Sequence, residues 1–373
     1  MTRAQGAVEI DWLTSAERRS GAEIWEDLEG RFGGGALACS WDWTSSWLEH
    51  YGDVVPHRFA VGAVNGVPCG ITLVTTGVGR RRGPFRVRSV HIGTAGEPPR
   101  ESVFVEYNRI LVEPDRRADF CAALVRALRD ESGWDELALD GFDPEEAAPL
   151  LAVEPRFQPA PATCRVLDLT RAQAKDGDVL ATLGGGTRKQ VRRSHNALEQ
   201  LESEWASTPE HASDILDELI DLHQRRWTDV GETGAFASPR FVGFHRTVIR
   251  RLMPKGAVIL FRVRAGGATV GCLYNFVERG RVLSYQTGLA SHADRKISPG
   301  FVTFAACMQA CYERGLREYD FLAGDSLYKQ QLSTTTRELV WAKAPRPSLR
   351  WRALDRLAAA RRTVRGLRPG RSG

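Results

Sequence analysis

Long apolar runs are missing from this chain. No stretch approaches the ~20 residues that a membrane-spanning helix needs, and Met1 to Trp12 carries no apolar core of a secretory signal. A cytoplasmic protein is the expectation. Cysteine is present but unpatterned: seven residues, an odd number at scattered spacings, do not make a disulfide framework. Cys307 and Cys311 are four residues apart on one predicted helix, yet no histidine stands at ligand spacing, so no metal site is expected. The chain also lacks a His-Glu-x-x-His motif, paired Cys-x-x-Cys motifs, a Gly-x-Ser-x-Gly elbow and a Walker loop. No long heptad run predicts a coiled coil. Lysine is scarce: Lys175, Lys189, Lys255, Lys296, Lys329 and Lys343 are six of 51 basic residues. A lysine kept in such a chain marks a place where a compact point charge suits better than the planar fork of arginine.

What is there is ordinary for a globular protein. The 373 residues are 42% hydrophobic and 26% charged, long enough for two domains. The net charge of +5 is unevenly placed. From Arg346 onward there are nine arginines and a single acid, Asp355, so the basic excess belongs to the tail, 346–373. That tail is expected to be a flexible, solvated end, or an arm for an anionic partner.

Helix periodicity covers Ser15 to Arg31, Trp41 to Tyr51 and Asp115 to Asp130. Strands are expected at Arg58 to Val64 and Val67 to Thr76, joined by the hairpin signal Asn65-Gly66, then at Phe85 to Ile92, Val103 to Leu111 and Glu136 to Asp140. Arg80-Arg81-Arg82 reads as a solvated loop, and Pro155 to Pro161 as a break. Thr187 is a candidate N-cap for a helix to about Glu202. Arg188, Lys189, Arg192 and Arg193 share one face of it, a cationic stripe suited to an anionic substrate or to plain solubility. From Gly266 to Ser333 the pattern is strand, turn, strand, loop, helix, strand, loop, a mixed α/β core. Arg295, Lys296, Ser298, Pro299 and Gly300 stand before or at a helix start, where free N–H groups favour a phosphate. Ser298 and Pro299 equally suit an ordinary N-cap and first helical position.

The Ser298-Pro299-Gly300 helix start, Tyr319-Asp320-Phe321, Gly324-Asp325 and Tyr328-Lys329 carry a resemblance. So do Thr187-Arg188-Lys189 with Arg192-Arg193, and Arg226-Trp227. Together they resemble the CelD/BcsL-type acetyltransferases of the GNAT superfamily, which are similar to the FemABX aminoacyltransferases. The likeness runs from about Trp41 to Lys343. It implies α/β architecture with two tandem GNAT-like domains, each a central mixed sheet flanked by helices. It also implies a coenzyme A pyrophosphate at Ser298–Gly300, hence acyl-CoA as co-substrate. A small-molecule, sugar or peptide amine is the implied acceptor. Aminoacyl-tRNA is the alternative donor, for which the cationic stripe and tail would serve RNA.

Short matches support a duplication: Gly66 and Gly70 with Gly267 and Gly271, Arg86-Val87-x-Ser89 with Arg281-Val282-x-Ser284, and Gly133 with Gly315. The expected domains are 1–165, shaping the acceptor groove, and 166–345, holding donor and catalysis. Ala138 stands where the second copy has Asp320. The chemistry is therefore placed in the second half: Asp320 as base, Tyr285 and Tyr328 as acids, Lys329 steadying an oxyanion. Core packing suits Tyr285 as well, and Trp227 reads as core. Glu106-Tyr107-Asn108, on an otherwise apolar strand, are candidate acceptor contacts. Arg188, Arg192 and Arg226 are candidate contacts for substrate phosphate.

Overall fold

The computed structural model describes residues 6–32 and 35–347. Its first half runs β1 (Glu9–Thr14), α1 (Arg18–Phe32), α2 (Trp41–Tyr51), β2 (His57–Val64), β3 (Val67–Thr76), the small hairpin β4 (Arg81–Arg82) and β5 (Phe85–Arg86), β6 (Ser89–Ile92), β7 (Leu111–Val112), α3 (Arg117–Asp130), β8 (Glu136–Phe142), α4 (Pro144–Val153) and β9 (Gln158–Asp168). After α5 (Gly185–Ala197) come β10 (Leu201–Trp205), α6 (Pro209–Asp229), α7 (Pro239–Leu252), β11 (Val258–Ala265), β12 (Ala268–Glu278), β13 (Arg281–Leu289), α8 (Pro299–Glu313), β14 (Glu318–Ala323), α9 (Leu327–Gln331) and β15 (Thr335–Pro345).

One 13-stranded sheet takes in every strand but β4 and β5, in the order β1-β2-β3-β6-β8-β15-β9-β14-β13-β12-β11-β10, with β7 on β3. Each half contributes the same series: antiparallel hairpins, one parallel pair, then one antiparallel strand. The parallel pairs are β6 with β8 and β13 with β14. The last strand of each half crosses over. β9 pairs with β14 of the second half, β15 pairs with β8 of the first, and the two crossing strands pair with each other. The expected boundary between 165 and 166 therefore falls inside β9.

The repeated glycines have repeated work. Gly66 and Gly267 both have φ near +80°, which their hairpin turns need. A Cβ on Gly70 would come within 2.8 Å of Phe120 on α3, and one on Gly271 within 2.2 Å of Thr303 on α8. In both halves the missing side chain lets the helix between the parallel strands lie close on the sheet. α1, α2, α6 and α7 cover one face, in a single core that includes Trp43, Tyr51, Phe244 and Tyr274. α3 and α4 cover the other face of the first half, and α8 that of the second. Among the described residues no helix is long and apolar enough to cross a membrane.

Several local expectations are corrected. Val103–Leu111 is not one strand: Phe104 and Tyr107 have φ of 44° and 57°, Asn108 makes an isolated bridge to Phe142, and only Leu111, at the start of β7, pairs within the sheet. The expected break at Pro155–Pro161 is mostly strand. Pro159 and Pro161 pair with β15, while β14 reaches β9 only from Cys164 onward, so the absent N–H groups deprive no second neighbour. The expected Phe85–Ile92 strand is two pieces. α5 is capped at Gly184, not Thr187, whose buried hydroxyl donates to the Gln331 carbonyl at 3.1 Å. Arg80 is no solvated loop residue, because it pairs with Glu136 and reaches Ser89. Trp227, expected in the core, is 40% exposed. Arg346 belongs to the body: it donates to the carbonyls of Glu131 and Arg129 and lies over the Trp134 ring. Residues 348–373, the rest of the expected tail, lie outside the described residues.

Candidate active site

β13 and β14 run side by side only from Arg281/Glu318 to Leu283/Asp320. There they part. β14 shifts register between Asp320 and Ala323 to follow β9, with Leu322 at φ 59°. β13 continues along β12 through a bulge at Tyr285, with Tyr274 opposite Gln286 and Asn275 opposite Ser284. The parting leaves strand-end backbone groups without sheet partners, and a cluster of side chains gathers around them.

Asp320 is fully buried, and its carboxylate accepts from the Tyr107 hydroxyl and from the Leu322 N–H at 2.8 Å. Burial pushes the Asp320 carboxyl up, against these two hydrogen bonds. Tyr107 is itself buried, and its ring lies 3.8 Å from the guanidinium carbon of Arg281. Asp320 is therefore tied into the fold with no exposed surface. Next to it Glu106 accepts from the Ala323 N–H at 3.3 Å. Burial pushes its carboxyl up to about 7, with the Lys329 ammonium opposing. That value places a carboxyl in the range of a working proton acceptor at neutral pH. Glu106 lines a narrow, mostly apolar cavity of about 20 Å³ with Trp43, Phe104, Leu283, Tyr285 and Leu322.

Lys329 stands on the short helix α9, not in a loop. Its ammonium donates to the carbonyls of Leu322 at 3.2 Å and Ala323 at 2.8 Å, and burial lowers its pKa. It pins the strand end that also presents the Ala323 N–H to Glu106. Asp325, four residues before Lys329, pairs with Arg165 at 2.6 Å. Tyr285 donates its hydroxyl to the Val103 carbonyl at 2.6 Å, stitching β13 to the segment that carries Glu106. Tyr328 lies apart from these residues. It stacks on Phe304 with ring centroids 5.7 Å apart, near Arg226.

Asn108 is not in this site. Its amide donates to the Ile92 and Asp140 carbonyls and holds β6 to β8. Arg188 likewise donates to the Ala181 and Leu183 carbonyls. Lys189, Arg192 and Arg193 face solvent, because the opposite face of α5 is the docked one. There Gln190 donates to the Lys296 carbonyl, and Ser194 accepts from the Ser298 N–H at 2.9 Å. Ser298 precedes α8 without capping it through its side chain. Its hydroxyl and the N–H groups of Gly300 and Phe301 stay available to an anion. A Cβ on Gly300 would come within 2.9 Å of Leu289, so glycine lets this helix start sit against the end of β13. Arg295 and Lys296 are exposed beside it.

Sequence reading grouped Glu106 with acceptor contacts and did not foresee its burial or its raised carboxyl pKa. The one signal was a carboxylate on an otherwise apolar stretch. Among solved structures the chain is similar to L-PGS from Bacillus licheniformis, with 14% identity over 88% of this chain and 93% of that one and a TM-score of 0.52. It is similar also to FemX, with 10% identity over 79% of this chain and 90% of that one and a TM-score of 0.52. No curated protein matches the sequence. Residues 185–330, which hold α8, the parting strands and Lys329, match the family model of the acetyltransferase (GNAT) domain, and the mixed sheet around them has that fold.

Proposed function

We propose that this protein is an acyl-CoA-dependent N-acyltransferase of CelD/BcsL type, acting on an amine of a small molecule, sugar or peptide. The observation that carries the reading is the parting of β13 from β14 beside the open start of α8. In this reading the coenzyme pyrophosphate lies on Ser298, Gly300 and Phe301, helped by Arg295 and Lys296, and the thioester enters between the strands. The acceptor nitrogen attacks the thioester carbonyl, forming the C–N bond as the C–S bond breaks. Glu106 takes the proton from nitrogen, a β13 backbone N–H polarises the carbonyl, and Tyr328 protonates the leaving thiolate. Asp320 and Tyr107 act as positioning residues, and Lys329 holds the strand end. The two halves, divided near 165, serve acceptor and donor respectively, and a cytoplasmic location supplies the acyl-CoA.

An aminoacyl-tRNA donor is the second reading. It is favoured by the solvent-facing cations Lys189, Arg192 and Arg193, a face suited to an RNA backbone. Melting temperature separates the two. Acetyl-CoA or a longer acyl-CoA should raise it by mass action, and Gly300→Val should abolish the shift while circular dichroism shows an intact fold. A shift with charged tRNA and none with any acyl-CoA would replace the first reading with the second.

A further inference from the structure

The parallel pair of the first half has its own cleft. Register puts His91 of β6 opposite Ala138 of β8, as Leu283 of β13 stands opposite Asp320 of β14. Two residues on, Asp140 takes the place that Leu322 holds in the second half. Where Leu283 and Leu322 wall a narrow apolar cavity, His91 and Asp140 line one of about 340 Å³. That is the size of a small-metabolite pocket. Glycines make the room: a Cβ on Gly77 would come within 2.7 Å of His91 Nε2, and one on Gly96 within 2.9 Å of the Gly77 backbone.

The charges lining it are paired, Lys343 most loosely. Asp140 is bonded to His91 Nδ1 at 2.7 Å. Arg80, a second cation of the lining, pairs with Glu136, which also accepts from the Ser89 hydroxyl. Glu97 accepts from the Trp47 indole N–H and lies 3.5 Å from the Ser102 hydroxyl. Lys343 is left with its nearest carboxylate oxygen 4.0 Å away, on the already matched Glu136, and its side chain is half exposed. His91 Nε2 has no protein partner among the described residues. Trp341, two residues before Lys343, gives the cavity an aromatic wall. We propose that this cavity is a second ligand site, taking a small organic anion whose carboxylate or phosphate meets Lys343 and His91 and whose body lies against Trp341. Lys343 and Trp341 come from β15, so the exchanged strand of the second half completes a site in the first. Phe104 and Val105 wall this cavity and the Glu106 cavity alike, so an occupant here lies against the segment that carries the proton acceptor.

The test uses the full chain and three probes: L-glutamate and citrate for carboxylates, glycerol 3-phosphate for phosphates. Titration calorimetry and melting temperature should show saturable binding of the carboxylates or of the phosphate, and whichever binds names the class. Lys343→Met and His91→Gln should each weaken that binding about tenfold or more, the loss of one charged hydrogen bond, with the fold checked by circular dichroism. Gly300→Val, which crowds the start of α8, should leave it unchanged. The proposal is overturned if none of the three probes binds, if binding survives both variants, or if Gly300→Val removes it and so assigns the anion to α8.

Discussion

Glu106 is the side chain on which chemistry and stability pull in opposite directions. As the base of the proposed reaction it must be ionised to accept a proton, so kcat/KM should rise with pH through about 7. Glu106→Gln should lose ~10²–10⁴-fold in rate and flatten that limb of the profile. For stability the sign is reversed. A carboxyl whose folded pKa lies above its unfolded value near 4.5 leaves the protein most stable below that value, and stability falls as pH rises through about 7. Glu106→Gln should therefore melt higher than the parent at pH 8 while being inactive, and a lower melting point there would contradict the burial argument. Lys329 tests the neighbouring strand end. Lys329→Met should lower kcat ~10²-fold with little change in acyl-CoA affinity, and Lys329→Arg should not rescue it, because the planar fork does not fit two adjacent carbonyls. An unchanged kcat would reduce Lys329 to a stabilising contact.

At the scale of elements, the clearest charge arrangement closes α4. Glu154, fully buried just past its end, accepts from Arg129 Nε at 2.8 Å and from the Arg156 Nε and Nη2 at 2.9 and 2.8 Å. The Arg156 hydrogen bond leads the interactions that hold its carboxyl down at about 2, burial opposing. The stability this gives is present above the unfolded value near 4.5 and is lost as pH falls through about 2. Glu154→Gln should destabilise by ~1–3 kcal/mol at pH 7, a difference that chemical denaturation should show shrinking as pH approaches 2. Elements with a strong local signal were legible before the fold. α2 runs from Trp41 to Tyr51 as its aromatic periodicity predicts, and the Asn65-Gly66 turn joins β2 to β3. Short elements fixed by their neighbours were not. α9 has five residues, too few for a period, and the course of 103–107 depends on Tyr107 reaching Asp320.

For the whole molecule the exchange of β9 and β15 has the largest consequence. Residues 6–168 alone would leave β8 without β15 and β9 without β14, exposing unpaired strand edges. Expressed separately, 6–168 and 169–347 should each aggregate or remain unfolded, and coexpression should recover a soluble pair seen by size-exclusion chromatography. A cooperatively melting first half by itself would show that β15 is dispensable. The chain can be shortened only beyond Pro347, since Arg346 is anchored on Trp134 and two carbonyls.

By itself the sequence determined what is local or repeated. It set the hairpin glycines, the alternation of strand and helix, the mixed α/β class, the helix start at Ser298–Gly300, and the asymmetry between Ala138 and Asp320 at matching register. Each of these follows from side-chain period, backbone freedom or order along the chain. The tertiary structure decided what depends on contact between distant segments. Tyr107 and Asp320 are 213 residues apart, yet their hydrogen bond ties the Asp320 carboxylate into the core. Glu106 gains its raised pKa chiefly from burial, in a cavity lined by residues of both halves. Lys343 enters the His91 cavity because β15 crosses to β8. Burial and electrostatic partners are properties of packed surfaces, and no spacing along one chain encodes which surface arrives.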